Sequence, residues 1–337
     1  MCTAITLQSG DFYFGRNLDL EYSFQEKVLV TPRKYNWQWK AVEQNEALAL
    51  LEKNTAQNEG FLAMIGMGNI TDNYPLYADA CNEAGLAMAS LYFPGNAHYG
   101  ERLEGKVNLA PYELIPFVVG TCKTAAQARE LLETVNLINE PFNQQLPVAP
   151  LHYIVADSEA CYVIEAMVDG MHIHENPYGI LTNNPPFPFQ IQNLQHYLNL
   201  RPANPSESFS QQHQVKPFGQ GLGAFGLPGD ASPTSRFVRA CYHKLNSVCD
   251  SDEKSSVSQF FHLLDSVKMA RGSVVTAEGL NDITTYSSCI NTKTASYYFK
   301  TYDNHQINCV ELHSTDLDST ELSAFELPCE EAFNYLN

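Results

Sequence analysis

Lysine and arginine are scarce in this chain: 20 stand against 38 Asp and Glu, for a formal charge of −18 over 337 residues. Phosphate backbones are held by clustered cations, so the shortage argues against nucleic acid as a partner. The same charge disfavours anionic membranes. No apolar run approaches the roughly 20 residues of a membrane span. No basic segment with an apolar stretch behind it opens the chain, so membrane insertion is not expected and cytoplasmic residence is. The nine cysteines contain no C-x-x-C; their odd number and irregular spacing argue against a disulfide framework or a zinc ribbon and suit buried thiols. Neither H-E-x-x-H nor G-x-S-x-G occurs, which removes the support for a zinc protease helix or a serine-hydrolase elbow. Internal repeats and low-complexity linkers are lacking too, and a single domain over 1–337 is expected.

What is present is a globular composition, 44% hydrophobic and 17% charged. Residues 3–7 and 12–16 read as a hairpin, followed by strands over 27–31, 61–67, 86–92, 152–156 and 161–167. Helices are expected over 110–119 and from Thr124, a suitable N-cap, with Ala128, Leu131, Leu132 and Val135 on one face. Ser235 is read as the cap of a third helix that buries Phe237, Val238, Cys241, Tyr242 and Leu245. Val257, Phe260, Phe261, Leu264 and Val267 mark a fourth. Strands return over 284–290, 296–302 and 306–312. Sheets packed together and covered by helices satisfy this order.

The chain begins Met-Cys-Thr. If Met1 is removed, Cys2 carries both a thiol and a free α-amine. An α-amine titrates near 7.7–8.0 in model compounds, so it is a base poised near neutrality and can take the thiol proton without a histidine. While Met1 remains, that nitrogen is an amide and cannot. Either an aminopeptidase or the chain itself would remove Met1. A three-residue hairpin loop sets Arg16 opposite Cys2, where its guanidinium favours the thiolate; a two-residue loop brings Asn17 there instead. Asp19 is placed to accept a hydrogen bond from the amine.

An ordered set of segments then resembles the choloylglycine hydrolases, the bile salt hydrolases and penicillin V acylases with an N-terminal cysteine nucleophile. It comprises MCT, FGRNLD (14–19), ADACNEAGLAMASLYFPG (78–95), LPVAPLHYIVAD (146–157), GILTNNPPFPFQ (179–190), GLPGDASPTSRFVRA (226–240) and YSSCINTKTASYYFKTYDN (286–304). The resemblance implies an αββα sandwich of two antiparallel sheets between helical layers, an α+β fold. It implies a working set of Cys2, Arg16, Asp19, Asn82, Asn183 and Arg236. Cys2 is the nucleophile with its own amine as base. Asn82 and Asn183 form the oxyanion hole, and the two arginines set the electrostatics. It implies no cofactor and no metal, a small-molecule amide substrate, and a homo-oligomer, commonly a tetramer. The first hairpin is two residues shorter than is usual in the family, which preserves the facing of each side chain.

Asn82 resembles the bile salt hydrolases, since many penicillin V acylases carry tyrosine there. Leu20, Tyr22 and Phe24 after Asp19, Phe61 and Met64 in an apolar strand, and Leu137, Ile138 and Phe142 in a loop are candidates to line an apolar pocket for a large acyl group. Glycine- or taurine-conjugated bile salts are the expected substrate. Penicillin V, long-chain N-acyl amides and acyl-homoserine lactones are the alternatives, and an inactive apolar-ligand-binding homologue is the alternative outside enzymes. His172 and His174 share one face of a strand, and without a third ligand they read as a structural or solvent-facing pair.

Overall fold

Burial runs almost without break through the first two strands, β1 (Cys2–Ser9) and β2 (Asp11–Leu20), because both faces of their sheet are covered. The computed structural model describes residues 1–42, 61–207 and 209–337. The two strands turn on Gly10 alone, with Ser9 paired to Asp11. Gly10 has φ of +65°, and a Cβ there would lie 2.4 Å from the Ser251 carbonyl oxygen, so only glycine makes this turn. The ladder consequently sets Leu18 opposite Cys2 and Arg16 opposite Ala4. Neither loop expected from sequence forms. Both Cys2 and Arg16 nevertheless remain on one face, because the pairing moved by two residues relative to the three-residue loop.

These strands sit in a six-stranded antiparallel sheet with β12 (Ile180–Leu181) outside β1, and β13 (Ile283–Asn291), β14 (Ser296–Thr301) and β15 (Asn308–Glu311) beyond β2. A second antiparallel sheet has eight strands. Its order is β11 (Gly170–Glu175), β10 (Cys161–Met167), β9 (Leu151–Ala156), β6 (Ala87–Tyr92), β5 (Tyr74–Asn82), β4 (Met64–Thr71), β3 (Lys27–Thr31) and β16 (Ser323–Glu326). A short parallel pair, β7 (Val107–Leu109) and β8 (Val135–Leu137), lies apart from both.

Helices α1 (Leu114–Thr121) and α2 (Ala125–Leu132) cover the outer face of the large sheet. Helix α3 (Phe187–Asn193) follows β12, while α4 (Pro233–Leu245) and α5 (Glu253–Asp265) cover the outer face of the small sheet. One core fills the space between the sheets and reaches under α4 and α5; the other lies between the large sheet and α1 and α2. This is the expected αββα sandwich. Among the described residues no helix is long and apolar enough to cross a membrane.

Thr124 caps α2, its hydroxyl accepting from the Gln127 amide at 3.2 Å. The cap of α4 is not Ser235 but Ser232: Pro233, lacking an N–H, takes the first helical position, and Ser235 lies inside the helix with its hydroxyl on Asp230 at 2.6 Å. The strand expected over 61–67 starts at Met64. Leu137 ends a strand rather than lying in a loop.

Candidate active site

Cys2 is the first residue of β1, buried, and faces the large sheet from the same side as Ala4 and Arg16. Its N–H donates to Asn183 Oδ1 at 3.0 Å. Met1 stands in front of it. The Met1 ammonium donates to the Asp19 carbonyl oxygen at 2.6 Å and lies 3.3 Å from Asp282 Oδ2. Asp19 N–H in turn donates to the Met1 carbonyl at 2.8 Å.

Three elements bring partners to this end of β1. Arg236 enters from the first turn of α4 and is fully buried. Its guanidinium donates to the Cys2 carbonyl, to Thr3 Oγ1 at 2.6 Å, to Asn183 Oδ1 at 2.6 Å and to the Ala231 carbonyl at 2.9 Å. Asn183 follows β12. Its Oδ1 accepts from both Cys2 and Arg236, which fixes the amide orientation. One Nδ2 hydrogen donates to the Tyr92 carbonyl at 2.7 Å, leaving one over. Asp19, at the end of β2, receives the Thr284 hydroxyl on Oδ1 at 2.6 Å, while Oδ2 is buried without a partner. Burial raises the Asp19 carboxyl above the ordinary carboxylate range, against the opposing pull of Arg236 and the N-terminal ammonium. Burial likewise lowers the Arg236 guanidinium, with Asp19, Cys2 and Asp282 working to keep it charged. An unpartnered carboxylate oxygen beside a chain terminus is chemically suited to a terminal ammonium.

Arg16 is fully buried between the sheets and donates to the Ala78 and Ser90 carbonyls at 3.0 and 2.5 Å. Burial works against its charge, but Cys2, Tyr286 and Asp79 outweigh that and hold it protonated. Asp79 is a member of this group that sequence reasoning missed. It lies inside the quoted ADACNEAG segment and accepts from the Tyr286 and Tyr297 hydroxyls, each at 2.7 Å. A lone acidic residue in a run of small apolar ones was its signal. Thr284 and Asp282, which touch Asp19 and the terminal nitrogen, carry no local signal and are brought in by the pairing of β13 with β2.

Asn82 is placed differently from expectation. Its Nδ2 donates to the Val119 and Cys122 carbonyls, both at 2.7 Å, and its backbone N–H donates to Leu86 O at 3.0 Å. Every donor it owns is engaged, so in this structure it ties the sheet to α1 and supplies no free N–H toward Cys2. Among the apolar candidates, Met64, Leu137 and Phe142 are buried in the core beneath α1 and α2, and Ile138 is buried beside Ala41 and Ala110. Phe61 is partly buried against Trp37 and Trp39, at 6.3 and 5.6 Å between ring centroids. Leu20 and Phe24 are partly buried against the core that contains Cys2. Tyr22 is 59% exposed and lines a surface cleft with Glu21, Glu26 and Arg271. His172 and His174 stack in parallel at 5.9 Å, and each faces a carboxylate, Asp169 and Glu165 respectively.

Comparison with known proteins agrees with this architecture. Residues 2–325 match the model of the linear amide C–N hydrolases, choloylglycine hydrolase family. The chain is 43% identical to the bile salt hydrolase/transferase of Lactiplantibacillus plantarum over 337 residues, covering all of both chains. It superposes on the C2A mutant of the conjugated bile acid hydrolase from Clostridium perfringens with a TM-score of 0.88 at 32% identity, again over all of both. The penicillin V acylase from Agrobacterium tumefaciens shares the fold, with a TM-score of 0.71 at 18% identity over 96% of this chain and 91% of that one. With a family match over nearly its whole length and a full-length relative this similar, the chain belongs to the choloylglycine hydrolase family and is a hydrolase of linear amide C–N bonds.

Proposed function

We propose that this protein hydrolyses the amide bond of glycine- or taurine-conjugated bile salts, with the mature chain, a single catalytic domain, beginning at Cys2. One observation carries the mechanism: the nitrogen and carbonyl of a buried cysteine at the chain start are held by Asn183 and Arg236, beside a buried aspartate with a free oxygen. The substrate class is supported by the names of the relatives, which are bile salt or conjugated bile acid hydrolases at 33–43% identity.

Removal of Met1 turns the Cys2 nitrogen from an amide into a primary amine. The amine takes the thiol proton, and Sγ attacks the carbonyl carbon of the substrate amide. The spare Nδ2 hydrogen of Asn183 stabilises the oxygen that becomes negative. Arg16, charged and buried, lies on the same face of the sheet as Cys2. Collapse breaks the C–N bond, and the Cys2 ammonium returns its proton to the departing glycine or taurine nitrogen. The acyl group is left as a thioester. Water then adds with the amine as base, the C–S bond breaks, the thiol is restored and the bile acid leaves as a carboxylate. Asp19 and Arg236 orient the terminal residue throughout.

The large apolar acyl body supplies most of the binding energy, at about 25 cal/mol per Å² buried, and positions the carbonyl over sulfur. Hydrolysis of an acyl-varied series at fixed amine, set beside an amine-varied series at fixed acyl, tests this. The panel includes penicillin V and a long-chain acyl-homoserine lactone. The expected result is strong discrimination among acyl groups and weak discrimination between glycine and taurine. Sharp selection on the amine side alone, or preference for penicillin V, contradicts the reading.

A further inference from the structure

A fully buried carboxylate and imidazole lie beside Asn183, and no step above uses them. Glu165 on β10 and His152 on the neighbouring β9 are both inaccessible to solvent. His152 Nδ1 is 3.1 Å from Glu165 Oε1, and its Nε2 is 2.9 Å from the Thr182 carbonyl oxygen. A carbonyl only accepts, so Nε2 carries hydrogen. Nδ1 faces the Glu165 carboxyl. Glu165 also accepts the Phe187 backbone N–H on both oxygens, at 3.0 and 3.2 Å, and faces His174 Nε2 at 3.6 Å. These contacts hold its carboxyl below the ordinary range despite its burial.

The placement of the contacts matters more than their number. Thr182 immediately precedes Asn183, and Phe187 opens the helix that follows it. The pair therefore grips the main chain on both flanks of Asn183. The His152 ring stacks on Phe93 at 4.2 Å with the planes 5° apart. The residue before Phe93 is Tyr92, whose carbonyl receives the first Nδ2 hydrogen of Asn183. Backbone on both sides and side chain are thus tied to one buried cluster. A buried polar pair of this kind is commonly no more stabilising than an apolar pair of equal volume, and a role in fixing geometry is the alternative to a role in stability.

We propose that the Glu165–His152 pair is a positioning device for Asn183, holding the 182–187 segment so that the spare Nδ2 hydrogen stays in register with Cys2. This rests on the reading of Asn183 as the oxyanion donor. Neither residue touches substrate, and both act through Asn183.

The test is a set of variants assayed on a glycine-conjugated bile salt, each first checked for folding. Glu165→Leu keeps volume, removes the grip on Phe187 and leaves the His152 ring without its anchor; kcat is expected to fall by about tenfold or more with KM within about threefold. Glu165→Gln keeps an acceptor for Phe187 and a donor for His152, and is expected to retain kcat within about threefold. In an Asn183→Ala background, itself expected to lose about a hundredfold or more, the further cost of Glu165→Leu is expected to shrink below about twofold. Should Glu165→Leu not fold, His152→Asn takes its place. It keeps a donor for Glu165 but is too short for the Thr182 carbonyl, and it carries the same expectations. The proposal is overturned if the Leu or Asn variant keeps its kcat, if its loss falls on KM, if Glu165→Gln loses as much as Leu, or if the loss persists in full without the Asn183 amide. Full activity in Asn183→Ala alone refutes the oxyanion reading itself, a separate result.

Discussion

Replacing Arg236 with lysine separates what its charge does from what its planar fork does. The guanidinium reaches acceptors in several directions, among them the Cys2 carbonyl, Thr3 Oγ1 and Asn183 Oδ1. A lysine ammonium is a single point on a flexible stem and cannot span them. Two of these acceptors belong to the residues that carry the proposed reaction. Losing two charge-assisted hydrogen bonds at about 1.5 kcal/mol each gives about 3 kcal/mol. That corresponds to roughly a hundredfold in kcat/KM if the loss is felt in the transition state. The cation facing buried Asp19 persists, so stability should change far less than in Arg236→Met. That variant removes one of the two cations that oppose the buried Asp19 carboxylate, at a cost of up to about 3–5 kcal/mol. Steady-state kinetics on a glycine-conjugated bile salt, with urea unfolding of the parent and both variants, reads the two effects apart. A folded Arg236→Lys protein within about threefold of the parent would refute the argument that the fork aligns Cys2 and Asn183.

Two further outcomes concern individual carboxylates. Asp79→Asn removes the anion nearest in role to Arg16 and should destabilise the fold by about 3 kcal/mol or more in urea unfolding, because a buried guanidinium loses its compensation; an unchanged midpoint would show that Arg16 is balanced otherwise. Asp230, at the start of the helix that carries Arg236, accepts from Ser232 and Ser235, and these bonds push its carboxyl down to about 2. Folding therefore favours its ionised form, and the contribution is complete above about pH 4 and disappears as pH falls through 2. The site is exposed, so Asp230→Asn should cost no more than about 1 kcal/mol at pH 7. The difference from the parent should close on acidification, and a gap that persists at low pH would contradict the assignment.

The parts of the site written in contiguous sequence were legible before the structure. Cys2, Arg16 and Asp19 lie within one hairpin, where two-residue periodicity determines facing even when the turn is misjudged. The turn itself is not legible, because a one-residue connection at Gly10 depends on the close approach of Ser251, which no local pattern records. Thr124 was readable as a cap because it stands directly before an amphipathic run, whereas Pro233 was the overlooked marker that moves the cap of α4 to Ser232. Strand β5 went unread: Pro75 and a series of small residues blur its alternation, and with it Asp79 escaped notice. Burial decided the apolar candidates. Met64 and Phe142 look alike as pocket or core residues in sequence, and only the layering of helices over the large sheet makes them core. The resemblance assigns Asn82 to the oxyanion hole, yet its amide is consumed by the end of α1.

The central claim is that catalysis belongs to a terminal cysteine that is its own base. Acid-quenched enzyme mixed with a slowly hydrolysed conjugate, digested and analysed by mass spectrometry, addresses it directly. The account predicts an N-terminal peptide without Met1, bearing the acyl group on the Cys2 sulfur as a thioester. Active enzyme that retains Met1, or an acyl group found on any other residue, would contradict it.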